Sequence, residues 1–251
     1  MVVVSDFYIT KKGVCRCLGN KRKAFKDSVP YYIRVSNSNR GILYMVMMAY
    51  NNLKNHLLSI SDAEKRALFC TIYGAMARES EIVRGRYNGS KPLEAEDIIS
   101  FPNKIDLVIR SAKSRRLNKH GVVVGVGKPV RKVPIFRNRE SWLVDIIEGW
   151  ARAIGTGPLF DCSTRSAERY FKQWFPDIVS SRGGNVNGVS HTIHWLRGWR
   201  YSHYRRGDVT GKRVESKVAS LMGGWVNSSV PERYYDFTQI EDFEGELENV
   251  R

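Results

Sequence analysis

Four side chains near the end of the chain are of types that could do chemistry together. His194 and Arg197 stand three apart in SHTIHWLRGWRYSHYRR, Trp225 sits among glycines in SLMGGWVNSS, and Tyr234 follows nine positions on, in PERYYD. At helical i, i+3 spacing an imidazole and a guanidinium share one face. Cleaving a phosphodiester without metal or activated water needs three things: a nucleophile, positive charge on the non-bridging oxygens, and a proton for the departing oxygen. Tyr234 can supply the first, because a phenol forms a covalent phosphotyrosine that splits one hard step into two. A guanidinium suits the second, since it stays charged and offers a planar fork of donors. His194 can move a proton to or from the tyrosine or hydrogen-bond the phosphate, and Trp225 can donate only through its indole nitrogen. These residues make half a site, and the other half must come from earlier in the chain.

The elements that would position it read as follows. Residues 1–39 are basic and without period, with Lys11, Lys12, Lys21, Arg22, Lys23 and Lys26, and suit a DNA-contacting arm as well as a solvated tail. From Arg40 to His56 the residues read as a buried apolar helix. Ser61, with Glu64 three on, forms a capping box that opens a second helix running to about Tyr87. Near its end the small residues Gly74, Ala75 and Ala77 precede Arg78 and would let a backbone or ligand approach closely. By itself Arg78 reads first as a surface arginine paired with Glu81 at i, i+3.

An acidic loop with Glu94, Glu96 and Asp97 follows. Three strands are expected, near Ile105–Ser111, Gly121–Gly127 and Val130–Phe136, with the basic turn KSRRLNKHG between the first two. Lys128 falls in a tight Gly-Lys-Pro turn between the second and third, where Pro129 would hold the amine in place. Two further helices, Asn138 to Ile154 and one opened by Ser163, complete the scaffold.

With 41 Lys+Arg against 25 Asp+Glu the net charge is +16, which makes a polyanion the expected partner, nucleic acid before an anionic membrane surface. No run of about 18 apolar residues is present to span a bilayer. The start MVVVSDFYITKK lacks the pattern of a signal peptide, so an intracellular compartment is expected. Cys15 and Cys17 have no second ligand pair at zinc-finger distance, and Cys70 and Cys162 lie in apolar helical patterns. No structural metal is expected.

In this order, ARESE around Arg78, a small sheet carrying Lys128, His194-Trp195-Leu196-Arg197, Gly224-Trp225 and Arg233-Tyr234, the chain resembles the catalytic domain of the tyrosine recombinases, the phage-integrase family of site-specific DNA recombinases. The family order is Arg, Lys on a β-hairpin, His-x-x-Arg, His or Trp, then Tyr, and Arg78, Lys128, His194, Arg197, Trp225 and Tyr234 fill it. The resemblance implies an α+β fold, mainly helical with a small three-stranded antiparallel sheet. It implies that Arg78 and Arg197 grip the phosphate, that Glu81 supports them, and that Lys128 protonates the leaving 5′ oxygen.

It also implies strand cleavage and rejoining through a 3′-phosphotyrosine, with no metal, ATP or other cofactor. The partner is double-stranded DNA with specific recombination sites. A homotetramer forms on DNA through a Holliday junction and the free protein is a monomer, in the cytoplasm and nucleoid of a prokaryotic host; the compact basic style suits an archaeal virus or plasmid integrase. DNA contacts are expected from Lys113, Arg115, Arg116 and Lys119 in the basic turn and from Arg200. The expected division is a basic arm or core-binding remnant over 1–39, the catalytic domain over 40–236 and an acidic tail over 237–251. That tail suits docking on a basic neighbour as well as plain solvation.

Alternatives remain at three slots: Arg200 competes with Arg197, Lys113 and Lys132 with Lys128, and Tyr235 with Tyr234. Two rival functions are a type IB topoisomerase-like enzyme with the same chemistry, and an inactive DNA-binding relative.

Overall fold

The computed structural model describes residues 7–9, 15–17, 31–38, 41–84, 91–111, 115–117, 123–126, 130–175, 193–225, 227–229 and 231–232; side chains are described from Met47 on, except at 115–117 and 123–126. Two antiparallel pairs come first: β1 (Phe7–Ile9) with β2 (Cys15–Cys17), then β3 (Tyr31–Ser38) with β4 (Gly41–Met48), in register from Ser38↔Gly41 to Tyr31↔Met48. The helix expected over Arg40–His56 is therefore a strand followed by a shorter helix, α1 (Tyr50–Ser59). GILYMVMM is apolar throughout, and such a run carries no period that separates a strand from a buried helix. The partner strand decides.

Helix α2 (Ala63–Gly74) opens one residue later than expected, on Asp62, whose carboxylate accepts from Lys65 N at 3.0 Å. It also stops thirteen residues before Tyr87. Met76 takes a left-handed conformation, φ 48°, and the bonds Ala77 N to Ile72 O (3.2 Å) and Met76 N to Tyr73 O (3.1 Å) close the Schellman pattern. The small residues before Arg78 serve packing, not ligand approach. A Cβ on Gly74 would lie 2.7 Å from Ile135 Cδ1, and Ala75 and Ala77 are buried in the core. After the turn comes α3 (Glu79–Ile82), a single helical turn.

The three-stranded antiparallel sheet has the order β5-β6-β9, with β5 (Ile98–Ser100), β6 (Lys104–Arg110) and β9 (Val130–Phe136). The expected middle strand exists as β8 (Val123–Val126), but it pairs with β7 (Arg115–Leu117) in a sheet of two. Arg110 faces Val130 in one pairing and Arg115 faces Val126 in the other. β8 does not pair with β9, so the pairing expected across Lys128 is not found among the described strands. Lys128 itself lies outside the described residues.

Four helices complete the fold. α4 (Arg137–Ile154) leaves β9 directly, buries Leu143, Val144, Ile147 and Ala151, and ends at Gly155 with φ 79°. α5 (Thr164–Trp174) is capped by Ser163, which accepts from Ser166 N. Cys162 lies just before this helix, not within it, while Cys70 is buried in α2 with its thiol pushed up by burial. α6 (Trp195–Arg206) is buried at every residue from Trp195 to Tyr204 and runs through the middle of the molecule; α7 (Ser216–Gly223) follows.

A polar network ties α1, α2, α4 and α6 together inside the core. Arg200 pairs through both terminal nitrogens with the Glu140 carboxylate and donates to Tyr204 Oη at 2.8 Å. Tyr50 Oη donates to Glu140 at 3.1 Å and accepts from Trp142 Nε1 at 3.3 Å. Glu140 departs from helical geometry inside α4, φ −140° and ψ 51°. His203 Nε2 must donate to the Met48 carbonyl at 2.9 Å, so its Nδ1 accepts from Tyr73 Oη at 2.8 Å. Burial, chiefly, lowers the His203 pKa to about 3 and keeps the ring neutral.

Candidate active site

Arg78 follows the Schellman turn in an extended conformation, φ −75° and ψ 150°, and heads α3. Its amide donates to Glu81 Oε2 at 3.0 Å and its Nη1 to Glu81 Oε1 at 3.0 Å. The i, i+3 pair legible in the sequence is real, but it is not a surface pair: the Glu81 side chain is fully buried and Arg78 is 25% exposed. A second guanidinium reaches the same carboxylate from β9, Arg131 Nη2 to Glu81 Oε2 at 2.9 Å. Burial alone would raise the Glu81 pKa; Arg131 first, then Arg197 and the Arg78 amide, overcome it and bring it to about 2.

Arg197 lies on α6 with no solvent exposure. Its Nη2 donates to Gly223 O at 2.6 Å, and its guanidinium lies 4.0 Å from the centre of the Trp225 ring. Arg131 Nε donates to the neighbouring carbonyl, Met222 O, at 3.1 Å. The turn that ends α7 makes this arrangement possible. Gly224 has φ 73°, its amide bonds to Leu221 O and that of Trp225 to Ser220 O. Trp225 folds back so closely that a Cβ on Gly223 would sit 1.9 Å from the ring, and a Cβ on Gly224 would sit 3.0 Å from Arg131. Tyr201 meets the Trp225 ring edge-on at 5.7 Å.

His194 precedes α6 and is one-third exposed, its Nδ1 3.7 Å from Glu79 Oε2. Glu168 of α5 accepts from the Ile193 amide at 3.2 Å and so fixes the chain just before it. Beyond Trp225 the chain is held again. Ser216 Oγ donates to Glu232 and is hydrogen-bonded to Tyr201 Oη at 2.8 Å, while Glu232 N bonds to Ser228 O at 2.9 Å, a first helical turn two residues short of Tyr234.

The structure thus gathers Arg78, Glu81, Arg197 and Trp225 in one cluster, with His194 joined through Glu79 of the same short helix as Glu81. Two guanidiniums, those of Arg78 and Arg131, bond one buried carboxylate and the charge of Arg197 acts on it as well, which leaves an excess of fixed positive charge suited to an anion. Arg200 is the correction. It was expected at the DNA or in place of Arg197, yet it is fully buried and neutralised by Glu140. Lys132, an alternative to Lys128, neighbours Arg131 on β9 and by strand alternation points to the opposite, exposed side. Lys113, Lys119, Lys128, Tyr234, Tyr235 and residues 237–251 lie outside the described residues, as do the side chains of Arg115 and Arg116.

Two residues escaped sequence reasoning. Arg131 shares the inward parity of Val133 and Ile135 on β9, and a cation at an inward strand position was the available signal. Glu79 carried none, since its significance depends on a histidine 115 positions away. Among the described residues no group of three or more His, Cys, Asp or Glu is placed to hold a metal ion, and no helix is long and apolar enough to cross a membrane.

No protein-family model and no curated protein matches the sequence. Solved structures match in shape. The XerH site-specific recombinase, in a post-cleavage complex with palindromic difH substrate, superposes with a TM-score of 0.52 at 14% identity, over 80% of this chain and 52% of the recombinase chain. A lambda integrase dimer bound to a COC' core site gives a TM-score of 0.47 at 15% identity, over 76% and 48%. The chain spans about half the length of the XerH recombinase chain, and with it shares the α+β fold of a site-specific DNA recombinase.

Proposed function

We propose that this chain is a site-specific DNA recombinase that cleaves and rejoins strands with Tyr234 as nucleophile. The observation that carries the reading is the cluster of Arg78, Arg131 and Arg197 about Glu81, roofed by Trp225, on a recombinase fold. The Tyr234 oxygen attacks phosphorus and the bond from phosphorus to the 5′ oxygen breaks. The phenol proton passes to His194, and Lys128 gives a proton to the departing 5′ oxygen. The products are a 3′-phosphotyrosine and a free 5′ hydroxyl. The diester charge is the same before and after, so a second strand's 5′ hydroxyl reverses the step and joins a new partner.

Arg78 and Arg197 hold the non-bridging oxygens, where charge builds in the transition state. Glu81 keeps the Arg78 guanidinium in place, and the Gly223 carbonyl holds that of Arg197. Because Arg197 is sealed from solvent beneath Trp225, gripping a phosphate requires the indole to turn off the guanidinium face. The basic segment with Lys113, Arg115, Arg116 and Lys119 tracks the DNA backbone, four protomers act together on paired sites in a prokaryotic nucleoid, and 40–236 form the catalytic unit between a basic arm and an acidic tail.

The test is a nicked suicide duplex, from which the short 5′ fragment diffuses away after cleavage and traps the covalent adduct. Wild type gives a protein–DNA adduct that maps to the Tyr234 peptide, Tyr235→Phe retains it and Tyr234→Phe abolishes it. Absence of adduct from the wild-type chain on a panel of nicked duplexes sinks the proposal. Relaxation of supercoiled plasmid without exchange between paired sites supports the topoisomerase reading instead.

A further inference from the structure

The geometry points to Glu79 as the positioning residue for His194: its carboxylate holds the imidazole by Nδ1 and so leaves Nε2 as the nitrogen that serves the chemistry. This rests on the recombination chemistry proposed above only for what Nε2 does there, not for the pairing itself. Glu79 Oε2 is buried without a hydrogen-bond partner and lies 3.7 Å from His194 Nδ1. A buried carboxylate oxygen left without a donor is costly, and the imidazole N–H is the donor within ion-pair reach. The charges around the pair favour an ionised Glu79. Burial opposes it, but His194, the Glu79 amide and Arg78 lower its pKa below the usual value. Glu168, packed alongside from α5, goes the other way: burial and the Glu79 charge raise its pKa while the Ile193 amide and Lys172 pull it down.

Two neighbouring carboxylates thereby take separate tasks. Glu168 fixes the main chain at Ile193, and Glu79 faces the ring. An ionised carboxylate at Nδ1 puts the proton of the neutral ring on that nitrogen, which leaves Nε2 with its lone pair as the proton acceptor. A ring held in one tautomer and one orientation accepts the phenol proton without first having to reorganise.

The tautomer can be read directly by long-range 1H–15N NMR of the imidazole rings in the full chain, the His194 signals being those lost in His194→Ala. His203, held as the Nε2–H form by Met48 O, is an internal reference. Wild-type His194 is expected as Nδ1–H; Glu79→Ala shifts it toward Nε2–H, and Glu79→Gln, which keeps an oxygen acceptor, restores Nδ1–H. In suicide-substrate cleavage Glu79→Ala is expected to slow adduct formation about tenfold with DNA affinity unchanged, and to have no further effect in a His194→Ala background. An unchanged tautomer in Glu79→Ala, or the same slowing with and without His194, overturns the inference. A tautomer that shifts as expected in a chain that forms no adduct leaves the Glu79–His194 pair standing and removes the recombinase reading.

Discussion

Arg131 and Arg197 donate to the carbonyls of adjacent residues, Met222 O at 3.1 Å and Gly223 O at 2.6 Å. One arginine comes from the sheet and the other from the central helix, so the turn carrying Trp225 is stapled to both. Arg131 also holds the buried Glu81 carboxylate. Arg131→Ala is expected to cost about 1.5–3 kcal/mol, the usual range for hydrogen bonds to charged groups, measured by urea unfolding. Arg131→Lys recovers less than half of the loss, because one ammonium lacks the fork that reaches both acceptors at once. Full recovery by lysine would show that charge alone suffices.

The close approach of Gly223 to Trp225 predicts a local clash. A Cβ at 1.9 Å from the indole cannot be accommodated without moving the ring. Gly223→Ala is expected to destabilise by about 1–3 kcal/mol, the range for overpacking, and to change the near-ultraviolet circular dichroism of the tryptophans. Gly149, where nothing lies within 4 Å of an added Cβ, is the control: Gly149→Ala leaves both measurements unchanged or gains slightly from helix propensity.

Arg200 and Glu140 form a buried ion pair, and the consequence of breaking it differs from that of losing a DNA contact. Arg200→Ala is expected to lose about 3–5 kcal/mol of stability because Glu140 is left buried and uncompensated. Replacing both partners, Arg200→Met with Glu140→Leu, recovers most of it. The salt dependence of DNA binding by the double variant matches wild type, which a phosphate-contacting Arg200 would not allow.

Stability is expected to fall with acid in two windows. His203, with its pKa lowered from 6.5 to about 3, is neutral in the folded chain, so below pH 6.5 the unfolded chain takes up a proton that the folded chain refuses. Stability is complete above pH 6.5 and declines by about 1.4 kcal/mol per pH unit down toward pH 3. Glu81, lowered from 4.5 to about 2, adds a contribution present above pH 4.5 and lost as pH falls through 2, about 3 kcal/mol in all. Urea unfolding at stepped pH should show the decline between pH 6.5 and 5 vanish in His203→Gln and the one below pH 4.5 vanish in Glu81→Gln. If His203→Gln keeps the wild-type slope above pH 5, the buried neutral histidine is not its cause.

What the sequence determined by itself was whatever depends on a few consecutive residues. The start of α5 at Ser163, the end of α4 at Gly155 and the pairing of Arg78 with Glu81 follow from capping and helical spacing, and all three stand. What only the tertiary structure decided depends on partners distant in the chain. GILYMVMM became a strand because Tyr31–Ser38 pairs with it, and β8 pairs with β7 instead of β9 because β6 claims β9. Arg197 and Arg200 lie three apart on one helix and are chemically alike, so nothing local separates them. Glu140, sixty positions earlier, neutralises Arg200 in the core, while the Met222–Trp225 turn brings Arg197 beside Arg131 and Glu81. A buried charge stands only where a counter-charge or acceptor meets it, and which one does is settled when the helices and sheet pack together.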